Sequence, residues 1–234
     1  MSLLSILKRI NDADNINESN TLEQHKISLD KTVINLSKSS PEITNHKAKV
    51  KMVLDYSGSM SENYRSGYVQ SVITRLLPLA LRFDDDGELE SYIFSNDYEQ
   101  LEAVTQENYD NYVKTCVYDR MSMGGTRYAP VIESLHKTDD KNIPSFVIYI
   151  TDGDNSDVSE TNQIIRAISN DNMFIMFIGI GNENFSYLKS LDNLSGRVRD
   201  NTGFMKVKDF TKLSDDELYE SLLKEYLNWY KGNQ

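Results

Sequence analysis

A chain of 234 residues, 39% of them hydrophobic and 26% charged, is long enough to bury one full core without covalent cross-links. Its single cysteine, Cys116, excludes an intrachain disulfide framework. The formal net charge of −11 argues against a nucleic-acid backbone as partner, because phosphate recognition needs a basic face, and favours a cationic ligand or a basic surface.

In chain order, residues 3–10 place Leu3, Leu7 and Ile10 on one helical face with Leu4 beside them. This predicts a short amphipathic helix, packed on its own domain or docked on a partner. It lacks the preceding basic region and following small-residue site of a signal peptide, so the chain is expected to be cytoplasmic. Residues 11–20, rich in Asn and Asp, read as a linker. Between 21 and 49 the pairs Ile27/Leu29 and Ile34/Leu36 carry a brief period of two before Pro41. An extended, β-like segment that adds to the main sheet or packs against it is expected there. The division is then an accessory segment, 1–48, and a main domain, 49–234.

Val50, Met52, Val53 and Leu54 form an apolar run that stops at Asp55-Tyr56-Ser57-Gly58-Ser59. A buried strand running into a polar loop before a helix is the edge where open α/β sheets collect ligands. Asp55, Ser57 and Ser59 offer three hard oxygen donors at spacings of two, suited to a small divalent cation. Three ligands are too few, and two later loops supply more: Met123-Gly124-Gly125-Thr126 and Ile150-Thr151-Asp152-Gly153-Asp154. The glycine pair is expected to take positive φ and so bring Thr126 close to a bound ion.

Residues 61–83 carry a helical pattern through Tyr64, Tyr68, Val72, Leu76 and Ala80, with a kink expected at Pro78. An acidic turn at 84–87 leads to a strand over 88–94, an edge strand over 99–105 and a helix over 106–117 that holds Cys116. Residues 144–151 give the strongest strand signal and end in Asp152. Asp152-x-Asp154-x-Ser156 departs from a calcium-binding EF-hand loop, because Asp157 replaces its glycine and Gln163 its closing glutamate. Asp154, Ser156 and Asp157 are instead expected to cap a helix over 158–170. A strand follows at 173–180. Its Gly179-x-Gly181 has no third glycine at Asn184 and is not a dinucleotide fingerprint. A helix at 185–194, a strand at 203–207 and a helix at 213–230, with Trp229 as a core anchor, complete an α/β alternation with a largely parallel sheet. The longest apolar runs fall far short of a bilayer span.

Asp55-x-Ser57-x-Ser59, then Gly124-Gly125-Thr126, then Thr151-Asp152-Gly153, each at a strand-end loop, resemble the metal-ion-dependent adhesion site of von Willebrand factor A domains. The resemblance implies a three-layer αβα Rossmann-like fold, its central sheet mostly parallel with one antiparallel edge strand. It implies that Ser57, Ser59 and Thr126 meet a metal through hydroxyls while Asp55 and Asp152 hold it directly or through waters. Magnesium is the expected ion, with manganese or calcium as alternatives, and a partner Asp or Glu would complete its coordination. Asp55 to Met60, the helix end Leu79-Ala80-Leu81-Arg82-Phe83 and Thr151 to Asp154 are similar to the A domains of bacterial tellurium or toxic-anion resistance proteins. Ile27-Ser28-Leu29-Asp30-Lys31 and Ile34-Asn35-Leu36-Ser37-Lys38 are similar to the opening strands of TerD-type stress proteins. A non-enzymatic, protein-binding role in stress or tellurium resistance is what this implies. The alternative is a magnesium-dependent phosphoester hydrolase with Asp55 as nucleophile. It is weakened because Ser57 stands where an acid/base aspartate is wanted, and because His25, His46 and His136 lie outside the three loops.

Overall fold

The structure, a computed structural model, describes residues 21–232. Its apolar runs become the centre of a six-stranded sheet because strands flanked by parallel neighbours are covered on both faces and must be apolar on both. The strands are β1 (Lys49–Asp55), β2 (Glu90–Phe94), β3 (Tyr98–Gln100), β4 (Ser145–Thr151), β5 (Met173–Ile180) and β6 (Thr202–Val207). Their spatial order is β3-β2-β1-β4-β5-β6. Every pairing is parallel except that of the edge strand β3 with β2. The chain passes from β1 to one side for β2 and β3, then crosses to the other for β4. Strand order therefore reverses between β1 and β4, and the crevice at their C-terminal ends is the switch point where this class of sheet binds ligands.

Alternation along each strand divides the core into two layers. Val50, Met52, Leu54, Ile148, Phe174 and Met176 face one side. They pack under helix α1 (residues 21–37), α3 (Tyr68–Phe83) and α7 (Asp215–Lys231). Val53, Phe94, Val147, Tyr149, Ile175 and Phe177 face the other. Over them lie α4 (Ala129–Thr138), α5 (Val158–Ala167) and α6 (Ser186–Asp192). This is the three-layer αβα arrangement with one antiparallel edge strand that the motifs imply.

The segment before β1 departs from expectation. Residues 21–37 are helical, not extended, and the two stretches similar to TerD-type opening strands lie on this one helix. Leu22, Leu29, Val33 and Leu36 are buried at steps of seven, four and three, a helical period, while Ile27 and Ile34 are exposed. A half-buried polar cluster pins the helix down. His25 Nδ1 lies 2.5 Å from Asp215. Arg75 donates to Asp215 at 2.8 Å and to the carbonyls of Phe210 and Leu213 at 2.7 and 2.8 Å. Burial alone would raise the Asp215 carboxyl, but the bonds from His25 and Arg75 overcome it and hold it below its ordinary value. The helix and linker expected over residues 3–10 and 11–20 lie outside the described residues.

Three further elements differ from the sequence reading. The helix expected over 61–83 is interrupted at Gly67, whose φ of 78° is the left-handed region glycine enters freely, leaving a short α2 (Ser61–Arg65) ahead of α3. Pro78 lies inside α3, which continues through it. Residues 106–117 form a 3₁₀ turn (Tyr109–Asn111) and a π-helical turn (Val113–Val117) that buries Cys116, and the expected edge strand contracts to β3.

Candidate metal centre

Asp55 closes β1 and is fully buried. Its carboxylate is fixed at both oxygens: the Ser57 amide donates to Oδ1 at 2.8 Å and the Thr151 hydroxyl to Oδ2 at 2.6 Å. The parallel register, with Leu54 opposite Ile150, is what brings Thr151 alongside Asp55. The Tyr64 hydroxyl, reaching back from α2, donates to the Asp55 carbonyl at 2.9 Å. From there the Ser57 and Ser59 hydroxyls lie 3.0 Å apart, and Ser59 donates to Asp152 Oδ1 at 2.8 Å. Four of the five expected site residues, Asp55, Ser57, Ser59 and Asp152, are thus joined in one hydrogen-bonded run across the switch point.

Thr126, the fifth, is held by its main chain. Its carbonyl accepts from the Ser156 amide at 2.9 Å and the Ser156 hydroxyl at 3.0 Å. Its loop meets the first loop where the Gly58 amide donates to the Gly124 carbonyl at 3.1 Å. The glycine pair does not take positive φ. Its smallness matters for a different reason: a Cβ on either Gly124 or Gly125 would fall 2.7 Å from the Asn96 side chain, which accepts a bond from the Gly125 amide. Glycine here permits close approach, not an unusual turn.

The residues after Asp152 do not cap the next helix as expected. Asp157 stands at the N-cap position of α5, yet its carboxylate makes no bond to that helix's amides. It accepts instead from the amides of Tyr128 and Ala129, at 3.0 and 2.9 Å, at the start of α4. Asn155 Nδ2 at 2.7 Å and the Thr161 hydroxyl at 3.2 Å also donate to it, and Arg127 Nε lies 3.9 Å away as an ion-pair partner. Ser156 is committed to Thr126, and Asp154 is exposed. Sequence reading missed this link because its two ends are 28 and 29 positions apart and no local spacing marks it.

Burial pushes the Asp55 carboxyl up to about 6; the bonds from Ser57 and Thr151 oppose this and the neighbouring Asp152 reinforces it. Burial also raises Asp152. Among the described residues neither carboxylate has a cationic side chain as ion-pair partner. Nor do three or more His, Cys, Asp or Glu side chains converge as a metal cluster among them. The donor set is two carboxylates with serine and threonine hydroxyls, hard oxygens throughout, which suits a small divalent cation and leaves the carboxylate pair short of positive charge. A groove of about 840 Å³ opens beside Ser59 and Asp152, walled by Asn63, Glu183 and Lys208.

Comparison with known proteins bears on this arrangement. The vWA-TerF-like family, the von Willebrand factor A domain found in the TerF C terminus, matches residues 47–234. The chain belongs to this family. The chain is also 35% identical over 212 residues to YcbR, an uncharacterised protein of Bacillus subtilis, covering 88% of this chain and 86% of that one. Among solved structures, proximal thread matrix protein 1 from the mussel byssus, with a zinc-occupied metal-ion-dependent adhesion site, superposes with a TM-score of 0.55 at 18% identity. The match covers 77% of this chain and 46% of the mussel protein, so the domain spans about half of that relative. The manganese-loaded TRAP protein of Plasmodium vivax gives 0.55 at 15% identity, covering 79% of this chain and 74% of that one. At such identities the superpositions establish a shared von Willebrand factor A fold. No described helix is long and apolar enough to cross a membrane.

Proposed function

We propose that this TerF-type domain is a metal-ion-dependent protein-binding module. Asp55, Ser57, Ser59, Thr126 and Asp152 would hold one divalent cation, magnesium by preference and manganese or calcium in its place. The bound ion would supply an electrophilic position open to an acidic side chain of a partner. The observation that carries the reading is the run from buried Asp55 through Ser57 to exposed Ser59 and half-buried Asp152, two carboxylates linked by the Ser57 amide and two hydroxyls, with no cationic side chain paired to either among the described residues. The zinc-occupied adhesion site of the mussel protein and the manganese-loaded Plasmodium protein support it by analogy of fold.

Each residue has a separate task in this reading. Thr151 and the Ser57 amide orient the Asp55 carboxylate, Tyr64 fixes the backbone behind it, and the groove beside Asp152 admits the partner side chain. With both Asp55 oxygens engaged, the carboxylate is better suited to bracing a site than to nucleophilic attack, which favours binding over phosphoester hydrolysis. Family membership supports a cytoplasmic role in tellurium or toxic-anion resistance and the stress response, among partners of that system. Residues 49–234 would carry the activity, with the preceding segment as its accessory.

Thermal melts with chelator, then with magnesium, manganese or calcium, test the proposal. The wild type should gain melting temperature with at least one metal, by mass action on the native state. Asp55→Ala and Asp152→Ala should remain folded and lose the gain. An unchanged metal response in both variants would refute the assigned site.

A further inference from the structure

We propose that Asp157 is a positioning residue for the metal centre, setting where the Thr126 loop stands relative to Asp152. The inference rests on the metal-binding reading above and extends it to a residue outside the adhesion motif. Thr126 reaches the site from a loop with no strand of its own: its near side is tied by the isolated bridge between Gly124 and Ser57 and by the Arg127 amide, which donates to the Ser95 carbonyl at 2.9 Å. Something must fix that loop's far end. Asp157 does so from the loop that also carries Asp152, taking the first two amides of the α4 start on its two carboxylate oxygens. These amides lie at the positive end of α4's dipole, where an anion is favoured, and Asp157 is only 4% exposed, so little water competes. One residue earlier, Ser156 gives both its amide and its hydroxyl to the Thr126 carbonyl.

Four hydrogen bonds from two successive residues therefore fasten Thr126 and the two residues at the α4 start to the Asp152 loop. Asp157 is itself braced by Asn155 and Thr161, both buried. A neutral amide at 157 could accept at only one atom and would turn a donor towards the α4 amides. The helix start would then shift and carry the Thr126 hydroxyl with it. This is how outer-shell partners tune metal affinity without touching the ion.

The test is manganese binding by isothermal titration calorimetry on the full chain. Asp157→Asn should weaken binding by about 10- to 100-fold, and Ser156→Ala, an exposed site that tolerates the change, by roughly 5-fold. Because Asp157 acts through Thr126, adding Asp157→Asn to Thr126→Val should cost little beyond Thr126→Val alone. Leu135→Ala, which empties a buried position on the same helix, controls for stability and should lower the melting temperature without changing the dissociation constant. A folded Asp157→Asn and a Ser156→Ala that both bind as the wild type does would overturn the proposal while the metal site stands. So would fully additive losses with Thr126→Val. A wild type that binds no metal, or an Asp55→Ala that binds normally, would instead overturn the metal-site reading and this inference with it.

Discussion

Replacing His46 with phenylalanine should abolish a loss of stability that the wild type suffers on mild acidification. His46 is 6% exposed, bonded through Nε2 to the Tyr226 hydroxyl at 2.7 Å and packed against the Tyr230 ring at 4.4 Å. Burial lowers its pKa from 6.5 to about 4, with Glu42 opposing weakly. Between those values the unfolded chain binds a proton that the folded chain refuses, so His46 favours folding fully above 6.5 and progressively less as pH falls to about 4. The gap corresponds to ~3 kcal/mol, and solvent reaching the ring edge brings it to roughly 1–3 kcal/mol. Asp55 titrates in the same window with opposite sign in metal-free protein: its raised carboxyl is neutral below about 6, so acidification relieves a buried charge. The assay is therefore a difference, urea unfolding of wild type and His46→Phe in chelator at pH 7, 6, 5 and 4.5. Loss of the bond to Tyr226 adds a pH-independent offset of about 1–2 kcal/mol. The slope is what identifies the histidine. Equal slopes for the two proteins would refute the reasoning.

Two further outcomes concern packing. Leu29→Ala should cost about 2–5 kcal/mol in the same assay, because Leu29 on α1 is 1% exposed within the principal core; a change within 0.5 kcal/mol would mean that α1 does not pack there in solution. Gly179→Ala should cost about 1–3 kcal/mol, since its Cβ would stand 2.9 Å from the ring of buried Phe185; wild-type stability would show that the ring can yield.

The central strands were legible because a strand buried on both faces is mostly apolar, with the few buried polar residues, such as Lys51 on Asp139, paired. The meeting of the first and third motif loops was legible because oxygen-bearing side chains at fixed spacings follow apolar strands whose ends lie side by side. The α1 helix was misread for a local reason. Its buried positions, Leu22, Leu29, Val33 and Leu36, keep a helical period, but exposed Ile27 and Ile34 fall between them and mimic a period of two. A kink was expected at Pro78 and no break at Gly67, yet α3 continues through the proline, while the left-handed residue ends the preceding helix outright. Asp157 was invisible for a non-local reason: the helix it serves starts 28 residues upstream, and a carboxylate ahead of α5 reads as that helix's own cap.

The proposed ligand set also has a place in time. Thr151 and Asp55 are 96 positions apart, Ser59 and Asp152 are 93, and they meet only when β1 and β4 lie side by side. No fragment that lacks either strand holds the run together, and a collapsing chain has no such run until its most sequence-distant strand pairing is made. An ion captured there would grip the finished molecule and no earlier one. Its grip would be felt as slower unfolding, with folding itself left at its own pace.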